Sequence, residues 1–111
     1  MEALDNEGYP TDEFLEYLKN YDCKDIMTFL EELESAWAYS DWGFKLTKVY
    51  KYKSWQGRRQ RTLQLHTGGW SGNESIINAL QSNFIFWSMY WWKTYRGGHF
   101  YFQILVEHIN K

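Results

Sequence analysis

Apolar residues in the first 41 positions recur every three or four residues, which is the spacing of amphipathic helices. A first helix is predicted from the candidate N-cap Thr11 to about Asn20, whereas residues 1–9 lack periodicity and are expected to fray. Its apolar face comprises Phe14, Leu15 and Leu18. A second helix is predicted to be capped by Asp22 and to end at residues 41–43. Its apolar face comprises Ile26, Phe29, Leu30, Leu33 and Trp37.

Beyond the second helix, the spacing changes to the alternation that is typical of β-strands. Residues 44–53 and 59–66 are predicted to form two strands, joined by a hairpin loop at residues 54–58. A last alternating run begins at His99 and gives way to a polar tail from Glu107. One face of the second strand carries Leu63 and Leu65, and one face of the last strand carries Phe100, Phe102, Ile104 and Val106.

Residues 66–74, His-Thr-Gly-Gly-Trp-Ser-Gly-Asn-Glu, are predicted to connect a strand to a helix. Ser71 and Glu74 have the capping-box spacing, so either Ser71 or Asn73 would cap that helix while Trp70 anchors the loop. A glycine-rich turn at a helix N-terminus can also bind an anion, although Glu74 would repel one. The loop residues available for such a site are Gly68, Gly69, Trp70 and Asn73.

The helix that follows has Ile76, Ile77 and Leu80 on its apolar side. Residues 84–95 fit either an extension of this helix or a new strand. A strand is favoured, because Ser82 and Asn83 interrupt the helix and β-favouring aromatic residues dominate. The turn signal at residues 96–98 then precedes the last strand. If Trp87, Trp91 and Trp92 were exposed here, they would form an interface with a second copy or a partner.

These elements predict a single α+β domain over residues 1–111, in the order ααββαββ. The two strand pairs would form an antiparallel sheet of about four strands, with helices packed on one face. Cys23 is the sole cysteine, so no disulfide framework or thiolate zinc site is expected, and no cofactor is implied. The chain begins without a signal-peptide pattern and has no apolar run of membrane-spanning length, which predicts a cytoplasmic protein without a membrane partner.

Charge is divided unevenly along the chain. Residues 1–41 contain 12 acids and 2 bases, and residues 42–111 contain 2 acids and 10 bases, so −10 and +8 combine to the net −2. The two halves could neutralise each other, or the basic half could face an anionic partner. The basic residues lie among aromatic ones in the predicted hairpin, as in proteins that bind phosphates and stack on bases. The residues concerned are Lys48, Tyr50, Lys51, Tyr52, Lys53, Trp55, Arg58, Arg59 and Arg61.

A catalytic interpretation combines groups from the two glycine-containing turns. His66, Ser71 and Glu74 would come from the first turn, and Arg96 and His99 from the second, if their strands are neighbours in the sheet. Histidine would then serve as general base, glutamate as acid or orienting group, and arginine as an oxyanion clamp. Ser71 would be the nucleophile, although it is equally suited to cap a helix. A metal site is not predicted, because the ligands would come from distant segments.

Residues 66–77, Phe86-Trp87, Trp91 and residues 96–102 together resemble small uncharacterised proteins of bacterial viruses and prophages. Those proteins carry a similar Thr-Gly-Gly-Trp-Ser-Gly-Asn-Glu loop and a later Arg-Gly-Gly-His-aromatic turn. The resemblance covers roughly residues 62–104. It implies a phage or prophage setting, and therefore the cytoplasm of a host cell, but no mechanism.

The sequence thus favours a small non-catalytic binding module that contacts nucleic acid or a host protein through the basic-aromatic hairpin. The alternative is a small enzyme or ligand-binding protein with a site at the two turns. The acidic helices suggest a third hypothesis, in which their carboxylates imitate phosphates towards a host enzyme. A solvated helix face has the same pattern, so this hypothesis stands behind the other two.

Overall fold

A computed structural model describes residues 2–47 and 60–105, which form five helices and four strands. The helices are α1 (Asp12–Asn20), α2 (Ile26–Ala36), α3 (Ser40–Gly43), α4 (Ser71–Ser82) and α5 (Phe84–Tyr90). The strands are β1 (Phe44–Leu46), β2 (Gln60–His66), β3 (Trp91–Tyr95) and β4 (His99–Leu105). The predicted α+β class and antiparallel sheet are therefore confirmed. No helix within the described ranges is long and apolar enough to cross a membrane.

The sheet has the strand order β1-β2-β4-β3, and every neighbouring pair is antiparallel. Its centre is the β2–β4 ladder, which pairs Leu63 with Phe102 and His66 with His99. Since side chains alternate between the faces of a strand, this register places Leu63, Leu65 and Phe102 on one face. All three are buried in a core that also contains residues of α1, α2, α4 and α5. The helices thus cover one face of the sheet.

The helix caps confirm one prediction and correct another. Thr11 caps α1 as predicted, since its Oγ1 accepts a hydrogen bond from Phe14 N–H at 3.1 Å. The prediction that Asp22 caps α2 is wrong, because Asp25 Oδ1 accepts from Thr28 N–H instead. The Asp22 carboxylate accepts from Lys24 N–H within the intervening turn. A carboxylate can cap only the helix whose first turn it reaches, and Asp22 is three positions too early.

Helix α2 also ends earlier than the predicted 41–43. It stops at Ala36, and the short helix α3 begins separately after Tyr39, whose φ of 59° is left-handed. The physical reason is the side chain of Asn73, which forms hydrogen bonds with the backbone of Ala38 between these helices. Asn73 Oδ1 accepts from Ala38 N–H at 2.9 Å, and its Nδ2 donates to Ala38 O at 3.0 Å.

Residues 84–95 divide into two elements, so the prediction of a strand is wrong for Phe84–Tyr90 and confirmed for Trp91–Tyr95. The first part is helix α5, because Asn83 ends α4 and its Oδ1 accepts from Phe86 N–H at 2.9 Å. The capping-box prediction is also wrong. Helix α4 begins at Ser71 after the N-cap Trp70, and it has no side-chain cap bond.

Several predictions concern residues that lie partly outside the described ranges. Strand β1 confirms the first predicted strand as far as Leu46, and the remainder and the hairpin loop at 54–58 fall outside. The second and last strands are confirmed from Gln60 and as far as Leu105. Among the first residues, which were expected to fray, Thr11 N–H donates to Ala3 O at 2.9 Å.

Candidate functional site

The sheet face opposite the core carries the candidate site, and we call it the open face. The pairing register places polar and aromatic side chains of all four strands there, because directly paired residues share a face. These residues are Lys45, Gln64, His66, Lys93, Tyr95, His99, Tyr101 and Gln103. The helices of the core lie on the other face of the sheet, so this surface is presented outwards.

Two histidines meet at the end of the central strand pair. His66 of β2 is directly paired with His99 of β4, and their Nδ1 atoms lie 2.8 Å apart. His66 Nε2 faces Gln64 Oε1 at 3.2 Å. Since an amide oxygen only accepts, His66 Nε2 carries the proton, and the neutral pair is joined by His99 Nδ1–H donating to His66 Nδ1. Gln64 therefore fixes the tautomer of His66, and His66 in turn fixes that of His99.

Burial, His99 and Lys45 together lower the pKa of His66 below its ordinary value, with burial the largest cause. A second proton at the Nδ1 contact would place two N–H groups against each other and break the hydrogen bond. Protonation of His66 would therefore break its hydrogen bond to His99, and it requires a lower pH than protonation of an isolated imidazole.

Aromatic rings surround Tyr101 near the centre of the open face. The ring centroids of His66, Tyr95 and Trp92 lie 5.9, 5.6 and 6.5 Å from that of Tyr101, all in edge-on arrangements. Trp92 enters this group through a register irregularity between Trp91 and Lys93 in β3. About half of the surface of Trp92 and Tyr95 is exposed, at 47% and 54%. The rings are thus held by their neighbours and still present area to a ligand.

Lys93 supplies a cation within this aromatic cluster. Its Nζ lies 4.0 Å from the centroid of Trp92 and 5.2 Å from that of Tyr101, which are cation–π distances. Trp42 of α3 lies at the other end of the face, with its ring 5.9 Å from that of His66. Trp42 is 52% exposed, so it extends the aromatic surface towards β1.

The four strands contain no Asp or Glu, while the strands and their turns carry Lys45, Arg61, Lys93 and Arg96. Within residues 2–47 and 60–105, the two ion pairs are Lys19–Glu16 and Lys24–Asp22, both in the acidic half of the chain. In this part of the molecule, no ion pair joins a base of the sheet to an acid of the helices. The described contacts therefore give no support to direct neutralisation between the two halves.

Of the predicted hairpin site, Arg61 lies within the described residues, where its Nε donates to Thr47 O at 2.7 Å. The other members lie outside them: Lys48, Tyr50, Lys51, Tyr52, Lys53, Trp55, Arg58 and Arg59. In the sequence these residues connect β1 to β2, two strands of the open face. The hairpin and the open face are thus continuous along the chain.

The glycine-rich loop is held in place by contacts with other parts of the fold. Gly68 and Gly69 adopt positive φ of 61° and 75°, which glycine accommodates without strain. The ring of Trp70 stacks on Tyr9 at 4.9 Å, and Asn73 is buried with its amide bonded to the Ala38 backbone. These contacts favour the structural interpretation of the loop over an anion site.

The residues of the catalytic interpretation are only partly brought together. His66 and His99 touch, whereas among the described residues no hydrogen bond or ion pair connects either of them to Ser71, Glu74 or Arg96. A nucleophile must lie within hydrogen-bonding reach of its base, and Ser71 has no such contact with the histidines. The described residues also contain no group of three or more His, Cys, Asp and Glu side chains that could hold a metal ion.

Glu74 instead lines a cleft of about 310 Å³ between α4 and the start of β4. The cleft also contains Thr67, Ile77, Asn78, Gln81, Gly98 and Phe100. Thr67 and Gly98 directly adjoin the two histidines, and Thr67 N–H donates to Gly98 O at 3.0 Å. The cleft and the open face thus meet at the same end of the sheet.

The sequence interpretation did not select Gln64, Lys93, Tyr95 or Tyr101. It named Trp92 only together with Trp87 and Trp91, as an interface if these rings were exposed. The alternation in the last strand places Tyr101 with His99 and Gln103, and this was the one available signal. The pairing of β4 with β3 and the irregularity at Trp92 are properties of the sheet, so they are not visible in the local sequence pattern.

No protein-family model, curated protein or solved structure matches this chain.

Proposed function

We propose that this protein is a non-catalytic module that binds single-stranded nucleic acid on the open face of its sheet. The observation that carries the proposal is the cluster of exposed aromatic rings around Tyr101, on a sheet without a single acidic residue. Successive unpaired bases stack on aromatic side chains, and positively charged groups along the same surface follow the phosphates. A phage or prophage setting, as the sequence resemblance implies, is part of this proposal.

Each part of the face has a role in this arrangement. Trp92 and Tyr95 provide the stacking surfaces, and Lys93 beside them contacts a phosphate. The sequence between β1 and β2 contains five bases and three aromatic residues, which are further groups of the kinds that contact phosphates and stack on bases. A single strand suits this surface better than a duplex, because the bases of a duplex are stacked on each other and their faces are not accessible.

The test is the affinity of labelled single-stranded oligothymidylate, measured by fluorescence anisotropy over a salt series. Trp92→Ala and Tyr95→Ala are each expected to weaken binding about 5- to 150-fold, the effect of losing one stacked base. Lys93→Ala should reduce the slope of log affinity against log salt by about 0.7, as expected for one lost phosphate contact on a single strand. A variant that neutralises Lys51, Lys53, Arg58 and Arg59 tests the hairpin.

Phe84→Ala is the matched control, since Phe84 is an aromatic residue that is 81% exposed on α5, outside the open face. It should leave the affinity unchanged. If the wild-type protein binds neither DNA nor RNA at low salt, the nucleic-acid proposal is wrong. The remaining partner for this face would then be a host protein.

A further inference from the structure

The cleft beside α4 differs from the open face in charge and in chemistry. Glu74 is the sole acidic residue between positions 60 and 105, and its side chain lies in this cleft. Within the described residues, the Glu74 carboxylate accepts no hydrogen bond and forms no ion pair. The side chain is exposed, so its acceptor oxygens are available to a ligand.

The polar residues of the cleft form a row along one helix. Glu74, Asn78 and Gln81 are spaced four and three positions apart on α4, so they lie one above another on the same helical face. The apolar part of the cleft is formed by Ile77 of the same helix and Phe100 of β4. The Phe100 ring is held in place by Trp87, 6.2 Å away between ring centroids. The cleft therefore has a hydrogen-bonding side and a flat apolar side.

This combination selects a planar ligand that presents hydrogen-bond donors along one edge. The two oxygens of a carboxylate can accept from two adjacent N–H groups at once. Guanine alone among the common bases has two neighbouring donors, N1–H and the N2 amino group, on its Watson–Crick edge. Its O6 would then face an amide N–H of Asn78 or Gln81, while its ring lies against Phe100. The volume of about 310 Å³ is at the small end of ligand pockets, which suits a single base.

The position of the cleft connects it to the open face. Thr67 and Gly98 line the cleft, and they are the immediate chain neighbours of His66 and His99. The cleft lies on the helix side of the sheet, since Phe100 is on the core face, so a bound strand would reach it by turning around this end of the sheet. We infer that the cleft binds one guanine base of a single strand held on the open face, and so gives the protein a preference for guanine-containing sequences. This inference rests on the proposed function.

The experiment compares oligothymidylate with the same oligomer carrying one guanine. Wild-type protein should bind the guanine-containing oligomer about 10-fold more tightly, given two hydrogen bonds to a charged acceptor. Replacing that guanine by hypoxanthine, which lacks the N2 amino group, should remove most of the gain. Glu74→Gln should reduce the preference to less than about 2-fold while the affinity for oligothymidylate stays unchanged, because an amide cannot accept both N–H groups.

Two further variants test whether the effect of Glu74→Gln is specific to the cleft. Gln81→Ala removes a different side chain of the cleft from an exposed helical position and should also reduce the preference. Glu34→Gln removes an exposed acid of α2 and should leave it intact. Equal affinity of the wild-type protein for both oligomers, or a preference that survives in Glu74→Gln, would overturn the guanine inference even though the open face binds nucleic acid.

Guanosine monophosphate without an oligomer separates this inference from the proposed function. Titration followed by NMR should shift backbone signals around Glu74 and Gln81 with guanosine monophosphate and not with adenosine monophosphate. If these shifts occur but no oligomer binds, the cleft recognises guanine as a free nucleotide, and both the proposed function and the inference of a base held within a bound strand are wrong. If oligomers bind but neither the shifts nor the guanine preference appears, the proposed function holds and the cleft inference is wrong.

Discussion

At the scale of single residues, the contact between His66 and His99 links protonation to the pairing of β2 with β4. Neither histidine differs from an ordinary strand residue in its local sequence. The two were predicted to approach each other only if their strands were neighbours, and the β2–β4 register places them opposite each other. The residue types could thus be read from the sequence, but their hydrogen bond depends on a pairing between segments 33 positions apart.

The lowered pKa of His66 predicts a pH-dependent stability. The unfolded chain binds a proton at the ordinary value of about 6.5, whereas the folded protein binds it only at lower pH. As pH falls from 7.5 to 5.5, the unfolded state therefore takes up more protons and the free energy of unfolding should decrease. Urea denaturation at several pH values measures this decrease.

His66→Gln should remove the part of this slope that belongs to His66, with the rest of the pH profile unchanged. An identical slope in the variant and the wild-type protein would contradict the prediction.

At the scale of elements, Asn83 decides how the segment after α4 folds. The interruption at Ser82 and Asn83 was correctly recognised in the sequence, but the aromatic residues that follow were interpreted as a strand. The local sequence pattern does not show the surroundings of Asn83. The residue is buried, with 2% of its surface exposed. Its Nδ2 donates to Leu18 O at 2.8 Å and Tyr21 O at 2.9 Å, so the amide joins the end of α1 to the start of α5.

Helix α5 is thus specified by a contact with α1 more than by its own composition. Its residues Phe86 and Tyr90 are buried in the core, and its β-favouring aromatic residues adopt a helix because that places these two rings inwards. Packing overrides local propensity in such a segment. Trp91–Tyr95, by contrast, was predicted correctly, because it pairs with its neighbour in sequence across the turn at Gly97 and Gly98.

Asn83→Ala is accordingly expected to lower the free energy of unfolding by about 2–4 kcal/mol. The substitution removes the cap of α5 and leaves the carbonyls of Leu18 and Tyr21 without their donor. Chemical denaturation measures the change. The matched control is Ser82→Ala, one residue earlier, where the lost hydrogen bond to Asn78 O is exposed and the expected cost is below about 0.5 kcal/mol. Equal effects of the two substitutions would contradict this role for Asn83.

At the scale of the whole molecule, the acidic and basic parts of the chain lie on opposite sides of the sheet. The acidic helices α1 and α2 belong to the layer that covers the core face, and the basic strands present their other face outwards. The unequal halves were evident from the sequence. Their placement on opposite sides was not, because the sequence slightly favoured pairing of the two halves with each other, which needs no partner.

This arrangement predicts that the protein binds to ion exchangers of both signs at low salt, despite its net charge of −2. Lys45→Gln combined with Lys93→Gln should lower the salt concentration that elutes the protein from heparin, with little change on a quaternary-amine column. Glu31→Gln combined with Glu34→Gln should do the reverse. If each pair of substitutions shifts elution equally on both columns, the charges are not segregated between the two sides.

The strand order β1-β2-β4-β3 has a consequence for how the chain reaches its folded state. The central ladder joins β2 to β4, so the chain must close a long loop containing α4, α5 and β3 before this ladder can form. Closing such a loop costs entropy before any contact compensates for it, and folds rich in distant pairings fold slowly. The β3–β4 hairpin can form locally and bring Trp92 and Tyr95 to Tyr101, while the contacts of His66 with His99 and Tyr101 await the central ladder. The complete binding surface is therefore expected to arise in the last, slow step of folding.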